Sequence, residues 1–286
     1  MRKSLQNLKA YIRHLRKSGE NLLHGYPFYY ASKQNHTDIA NYPYQWSSKT
    51  TPIKQRSGLA NVNENRIHNM QLSATCLDRL IIQPKQIFGF WNSVPRPIIK
   101  NGFRSGPMLV RGKLTHDVGG GLCQISTTLF NALLWANFEV LERYNHSIDA
   151  HGEKRFFTLG QDATVAYGYK DLIVRNLSDI PLLLRLEVFP EKAEVTASLW
   201  GTESIPCAVK IESKILQELT PSSQGMSGWE VETKRFVRQK YTSEFNGEKK
   251  EKIDVDGNIN IDINTQWEIN YQTVDIYQPF GSEGKS

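Results

Sequence analysis

Hydrophobic positions recur at helical spacing in three parts of the chain. Near the start, Leu5, Leu8, Ile12 and Leu15 repeat every three or four residues with basic side chains between them, predicting an amphipathic helix within residues 1–25. Ile67, Met70, Leu72, Cys76, Leu77 and Leu80 form the apolar face of a second helix over residues 63–80. Leu122, Ile125, Leu129, Ala132, Leu133 and Ala136 predict a third over Leu122–Ala136. Runs rich in Val, Ile and aromatic residues predict strands at 81–91, broken by Pro84, and at 138–146, 163–169, 172–176, 182–189 and 193–200. Further strands are expected near 205–213, 234–243, 253–263 and 267–277. Two stretches lack a period. Residues 26–58 are polar and aromatic and read as ordered loops, and Pro95 to Pro107 reads as a turn-rich connection.

These patterns predict an α+β protein: a basic N-terminal helix, a central cysteine-bearing helix packed on an antiparallel sheet, and a β-rich C-terminal region. The expected divisions are residues 1–25, 26–203, 204–280, and a disordered tail at 281–286.

Composition narrows the function classes. Six Trp, 12 Tyr and 12 Phe among 286 residues argue for a packed core. The net charge of +6 is carried by Arg2, Lys3, Lys9, Arg13, Arg16 and Lys17, all before the first acid, Glu20. The rest of the chain balances near zero, so nucleic acid is not an expected partner. The basic helix leaves two readings open. It packs on its own domain, or residues 2–17 lie on an anionic membrane surface. It lacks the apolar core of a secretory signal, and no later stretch is long and apolar enough to span a bilayer. The expected location is therefore cytoplasmic or peripheral on the inner membrane face.

Three isolated cysteines, Cys76, Cys123 and Cys207, suggest neither a disulfide framework nor a cysteine-rich metal site. No cofactor is expected. His116, Cys123, His146 and His151 are metal-ligand types, but their spacing fits no tight zinc pattern.

The chemistry gathers at GGGLCQ. Gly119, Gly120 and Gly121 permit a sharp turn, and Cys123 follows in the first turn of the predicted helix. A helix N-terminus favours a thiolate and offers amides to an anion. Gln124 adds a donor, and Ser126 and Thr127 are expected to share the face of Cys123. A nucleophilic thiol needs a base, and ERYNHSIDAHG supplies His146 and His151. Asp162 or Asp149 would orient the imidazole. A helix bearing Cys, then a strand bearing His, then one bearing Asp resembles the order in transglutaminase-like enzymes. Two readings stand: a ligand pocket built from Gly119, Gly120, Gly121, Gln124 and Ser126, or a catalytic Cys123, His146 and Asp162. Inert packing of Cys123 is the third alternative.

The runs GGGLCQISTTLFNALLWANFEVLERYNHS and DATVAYGYKDLIVRNLSDIPLLL, with LDRLIIQPKQIFGFWNSV upstream, resemble the VanW family from about Asn35 to Trp200. Pro84-Lys85 stands where that family has Pro-Gly. His146 matches the histidine of its R-x-x-H-S segment, and Asp162 its D-A-T-V element. The resemblance implies a bacterial accessory protein of the cell envelope, associated with glycopeptide resistance, whose partner is a cell-wall precursor or peptide. The alternative is a cysteine acyltransferase or amidase acting on a cell-wall-related amide.

Overall fold

The computed structural model describes residues 2–32, 38–54, 60–110, 113–150, 152–221, 225–240, 252–253, 259–260 and 266–281. In chain order the elements are α1 (Arg2–Leu23), β1 (Tyr44–Pro52), α2 (Ala60–Leu77), β2 (Leu80–Ile82), β3 (Ile87–Gly89), α3 (Phe90–Ser93), β4 (Ser105–Val110), β5 (Lys113–Val118) and α4 (Leu122–Trp135). Then follow β6 (Glu139–Glu142), β7 (Ile173–Arg175), β8 (Leu182–Phe189), β9 (Glu194–Gly201) and β10 (Cys207–Leu219). The last are β11 (Gly225–Met226), β12 (Gly228–Gln239), β13 (Lys252–Ile253), β14 (Ile259–Asn260), β15 (Glu268–Tyr277) and β16 (Phe280–Gly281). The fold is α+β, and its sheets pair antiparallel.

The sheet β1-β9-β8-β2 is the floor of the core. Both α2 and α4 pack on it, α4 across β1 and β9 and α2 across β8. A helix buried nearly all round belongs at the centre of a core, and α4 is one: Ile125, Leu129, Phe130, Leu133 and Leu134 are fully buried. The small sheet β3-β7-β6 closes a second side. The sheet β10-β12-β15 holds the C-terminal third against the end of α4. Arg235 of β12, itself buried, donates to the carbonyls of Leu134 (3.1 Å) and Phe138 (2.8 Å). A cation there satisfies terminal carbonyls and meets the negative end of the helix dipole.

The three predicted helices are present, and β8 and β9 lie at or within one residue of their expected bounds. Four expectations fail. Residues 44–52 are a strand, not loops. β1 is hard to see because its inward positions include Ser47 and Thr51, whose hydroxyls bind α4: Ser47 Oγ donates to Ala132 O at 2.7 Å, and Thr51 Oγ1 lies 2.6 Å from Thr128 Oγ1. Trp91 belongs to α3 instead of a strand. The turn-rich connection gives way before Pro107 to β4, which begins at Ser105 and pairs with β5. The predicted strand at 163–169 is irregular because the Ala163 backbone is bound by side chains of α4: Thr127 Oγ1 accepts from its N–H at 3.0 Å, and Ser126 donates to its carbonyl at 2.6 Å. Of the strand expected at 253–263, only residues 253, 259 and 260 are described, and the tail beyond 281 lies outside the described residues.

Candidate functional site

The glycine turn before α4 is required by packing. Gly119 and Gly121 have φ of +99° and +104°, a region unfavourable to L side chains. A Cβ on Gly121 would stand 3.0 Å from the carbonyl oxygen of Arg66 in α2, and one on Gly119 would stand 2.7 Å from Pro97 Cβ. The turn lets α4 begin in close contact with α2. It leaves Cys123 in the first helical turn, partly exposed beside the segment 163–165. The amides of Gln124 and Ile125 return to Gly121 O, and that of Leu122 to Gly119 O. Among the described residues, the Cys123 amide makes no return bond of this kind.

His146, just beyond β6, reaches this thiol. Its side chain is 17% exposed, and it hydrogen-bonds Cys123. Its Nδ1 lies 2.5 Å from Asp162 Oδ2, and the same oxygen accepts from the His146 amide at 2.7 Å. With Nδ1 held by Asp162, Nε2 is the ring nitrogen left for Cys123. Thr164 Oγ1 lies 3.3 Å from Cys123 Sγ, and the Val165 carbonyl oxygen lies 3.7 Å from it, where it accepts from the thiol. Phe157 stacks beside the imidazole at 5.8 Å between centroids.

Asp162 is fully buried and held from several sides. Arg143 Nη2 donates to Oδ1 at 3.0 Å, and Tyr277 OH donates to the same oxygen at 2.5 Å. Arg143 also binds both oxygens of Asp275, at 2.6 and 2.5 Å, and the carbonyl of Asp162 at 2.5 Å. A buried cation with two carboxylate partners is a satisfied charge network. Arg143, Asp275 and Tyr277 were not among the sequence candidates. Arg143 had a signal, as the arginine of R-x-x-H. Asp275 and Tyr277 had none, since they arrive from β15, far along the chain.

Burial alone would raise the Cys123 thiol, but the hydrogen bond and charge of His146 oppose it, helped by Thr164 and Val165, and the net direction is down. For His146, burial disfavours the imidazolium. Asp162 and Cys123 outweigh it, and the group is pushed up to about 10. Burial would also raise Asp162, yet His146, Arg143 and Tyr277 hold it at about 2. The arrangement favours a thiolate beside an imidazolium. Lys170 borders the group: burial lowers its ammonium, the charges of Cys123 and Asp162 support it, and it lies 5.4 Å from the centre of the Tyr144 ring.

Other expected members point elsewhere. Gln124 is buried, with its amide engaged by Arg66 (2.6 Å), Pro52 O (2.9 Å) and Thr51 (3.3 Å). Ser126 and Thr127 are buried and bind Ala163 O instead of sharing the thiol's open face. Asp149 pairs with Arg155 at 2.9 Å. His151 and the side chain of His116 lie outside the described residues. Among those described, no group of three His, Cys, Asp or Glu residues is arranged to hold a metal ion.

A model of the family described as "VanW like protein" matches residues 65–200, just under half the chain. "Uncharacterized protein YoaR" of Bacillus subtilis (strain 168) is 37% identical over 123 residues, which are 43% of this chain and 39% of that protein. "Vancomycin B-type resistance protein VanW" of Enterococcus faecalis (strain ATCC 700802 / V583) is 33% identical over 130 residues, 45% of this chain and 47% of that protein. The likeness thus spans less than half the length of either relative. No solved structure matches the chain. Residues 65–200, which include Cys123, His146 and Asp162, are thus the part of this chain that is similar to the VanW family.

Proposed function

We propose that this protein uses Cys123 as a nucleophile toward an amide or related acyl group, as a thiol-dependent amidase or acyltransferase. The supporting observation is the relay in which Asp162 holds Nδ1 of His146 while the imidazole hydrogen-bonds Cys123. The same elements serve thiol catalysis on other folds. The thiolate attacks the carbonyl carbon, forming a C–S bond, while the Cys123 amide at the start of α4 meets the developing oxyanion. His146 gives its proton to the departing amine as the C–N bond breaks. Water or a second amine then attacks the thioester, giving its proton to His146 and releasing Cys123 as thiolate. The resistance name of one relative directs the substrate search to peptides of the cell wall. The ligand-cradle reading is weaker, because Gln124 and Ser126 have their polar groups engaged inside the fold.

The test is the alkylation rate of Cys123 against pH in a protein carrying Cys76→Ala and Cys207→Ala. A thiolate titrating well below the free value of about 8.5, and moving upward in His146→Ala, is the expected result. A thiol titrating at or above that value, or one indifferent to His146, would overturn the proposal. A second arm incubates the protein with wall peptides and seeks an acyl adduct on Cys123 by intact mass.

A further inference from the structure

α1 docks on the rest of the protein through its polar side. His14 stacks on Tyr167 with ring centroids 5.0 Å apart, and the helix backbone rests against Gly168, where a Cβ would stand 3.1 Å from His14 Cα. Lys17 pairs with Glu142 of β6, the two side chains only 17% and 12% exposed. Asn21 Nδ2 donates to Tyr30 OH at 3.2 Å. These residues form one stripe of the helix surface. The apolar side chains form another and face solvent: Tyr11 is 57% exposed, Ile12 55%, Leu15 51% and Leu22 56%. Phe28 and Tyr29, just past the helix, are exposed as well. At about 100° per residue, Arg16 falls next to Ile12 on the far edge of the apolar stripe, where it is exposed and pairs with Glu20 at 2.9 Å, and the exposed Arg13 lies further round, toward Lys17.

This inverts the usual arrangement of a surface helix, whose apolar stripe faces the core. The helix does pack on its own domain, as one of the two sequence readings has it, but through its polar side, which leaves the apolar stripe free for the other. A contiguous exposed apolar stripe marks an interaction surface. Its charge selects the occupant. Six basic residues precede the first acid, so two copies facing each other through this helix would bring like charges together. An anionic lipid surface complements them, receiving the apolar stripe while the basic edge meets the headgroups.

We infer that the exposed stripe of α1, Tyr11, Ile12, Leu15 and Leu22 with Arg16 at its edge, is a docking surface for an anionic phospholipid bilayer, the helix lying in the interface. No helix among the described residues is long and apolar enough to cross a membrane. Because α1 rests on Tyr167 and Gly168, close in sequence to the Thr164 and Val165 contacts of Cys123, docking would bring the candidate site near the lipid surface. The inference does not depend on the chemistry of Cys123.

The test is sedimentation of the full chain with vesicles of phosphatidylcholine alone and of phosphatidylcholine with phosphatidylglycerol. Binding to the anionic vesicles is expected to exceed that to the neutral ones by at least about tenfold and to fall with salt. Combined Ile12→Ser, Leu15→Ser and Leu22→Ser substitutions should lower it by about tenfold or more, with circular dichroism and melting temperature unchanged, because the positions are exposed. Cys123→Ala should bind like the wild type. Absence of binding, indifference to lipid charge, or undiminished binding by the triple variant would overturn the inference. So would a dimer that the triple variant converts to monomer, which would assign the stripe to a second copy.

Discussion

Asp162 accepts from the amide and Nδ1 of His146, from Arg143 and from Tyr277, with no water-accessible surface to replace any of them. Asp162→Asn keeps the shape and removes the charge, leaving Arg143 with one carboxylate and the imidazole without its anionic partner. The expected cost is about 3–5 kcal/mol at neutral pH, as for breaking other buried ion pairs, together with an upward shift of the Cys123 alkylation profile. The pH dependence has a definite sign. A carboxylate held at about 2 against an ordinary 3.8 contributes stability above pH 3.8, which is lost as the pH falls through about 2. His146, raised from 6.5 to about 10, contributes below 6.5 and loses its contribution as the pH rises through about 10. The stability gap between wild type and variant, measured by urea unfolding, should be widest between pH 3.8 and 6.5, where both contributions are complete, and shrink toward pH 2 and toward pH 10. A constant gap would detach the stability of the fold from these two charges. Cys123, His146 and Asp162 were legible in the sequence because thiol, imidazole and carboxylate follow one another within the same stretch. Tyr277 and Asp275 were not, since side chains that meet through tertiary packing leave no local spacing to read.

At the level of elements, α4 was legible because its apolar repeat agrees with its burial. β1 and the segment 163–165 were not, and the same physics hid both. β1 meets α4 through its own hydroxyls, so polar residues face inward where a hydrophobic pattern is sought, while the backbone of Ala163 is taken up by hydroxyls of α4. Thr127 illustrates this. Its Oγ1 accepts from Ala163 N–H at 3.0 Å and donates to Ala163 O at 3.1 Å, fixing the strand-like sequence DATVAYG as an irregular segment. Thr127→Val fits the same space but leaves the buried Ala163 N–H without an acceptor, at a cost of about 1–3 kcal/mol. Ser126→Ala should cost less, because Thr127 still donates to the carbonyl that Ser126 binds. Chemical denaturation of the two variants checks this order. If Ser126→Ala proved the more damaging, the hydroxyl of Thr127 would not be what holds the segment beside Cys123.

At the scale of the whole molecule, the sequence divided the chain near residue 203, where the hydrophobic pattern weakens and the VanW likeness ends. Among the buried contacts that cross that line are two polar ones. Arg235 covers the carbonyls at the end of α4, while Asp275 and Tyr277 complete the partners of Arg143 and Asp162. Such contacts involve buried polar groups, so their loss leaves unpaired charges and carbonyls in the interior. A chain shortened to residues 1–205 would retain the helix bearing Cys123, the histidine and Asp162. It would lose one carboxylate of Arg143, the hydroxyl of Tyr277 and the cation over α4. Each unpaired carbonyl costs about 1–3 kcal/mol, and the broken ion network about 3–5 kcal/mol more. Together these approach the whole stability of an ordinary domain, about 5–15 kcal/mol. The shortened chain is therefore expected to lose its cooperative thermal transition and near-ultraviolet circular dichroism. Retention of both, with an unchanged Cys123 alkylation profile, would make the C-terminal sheet an independent module whose contacts with Asp162 are incidental. Loss of both would make the sheet part of what holds Asp162 on His146, so that the residues matched to the VanW family do not form the candidate site alone.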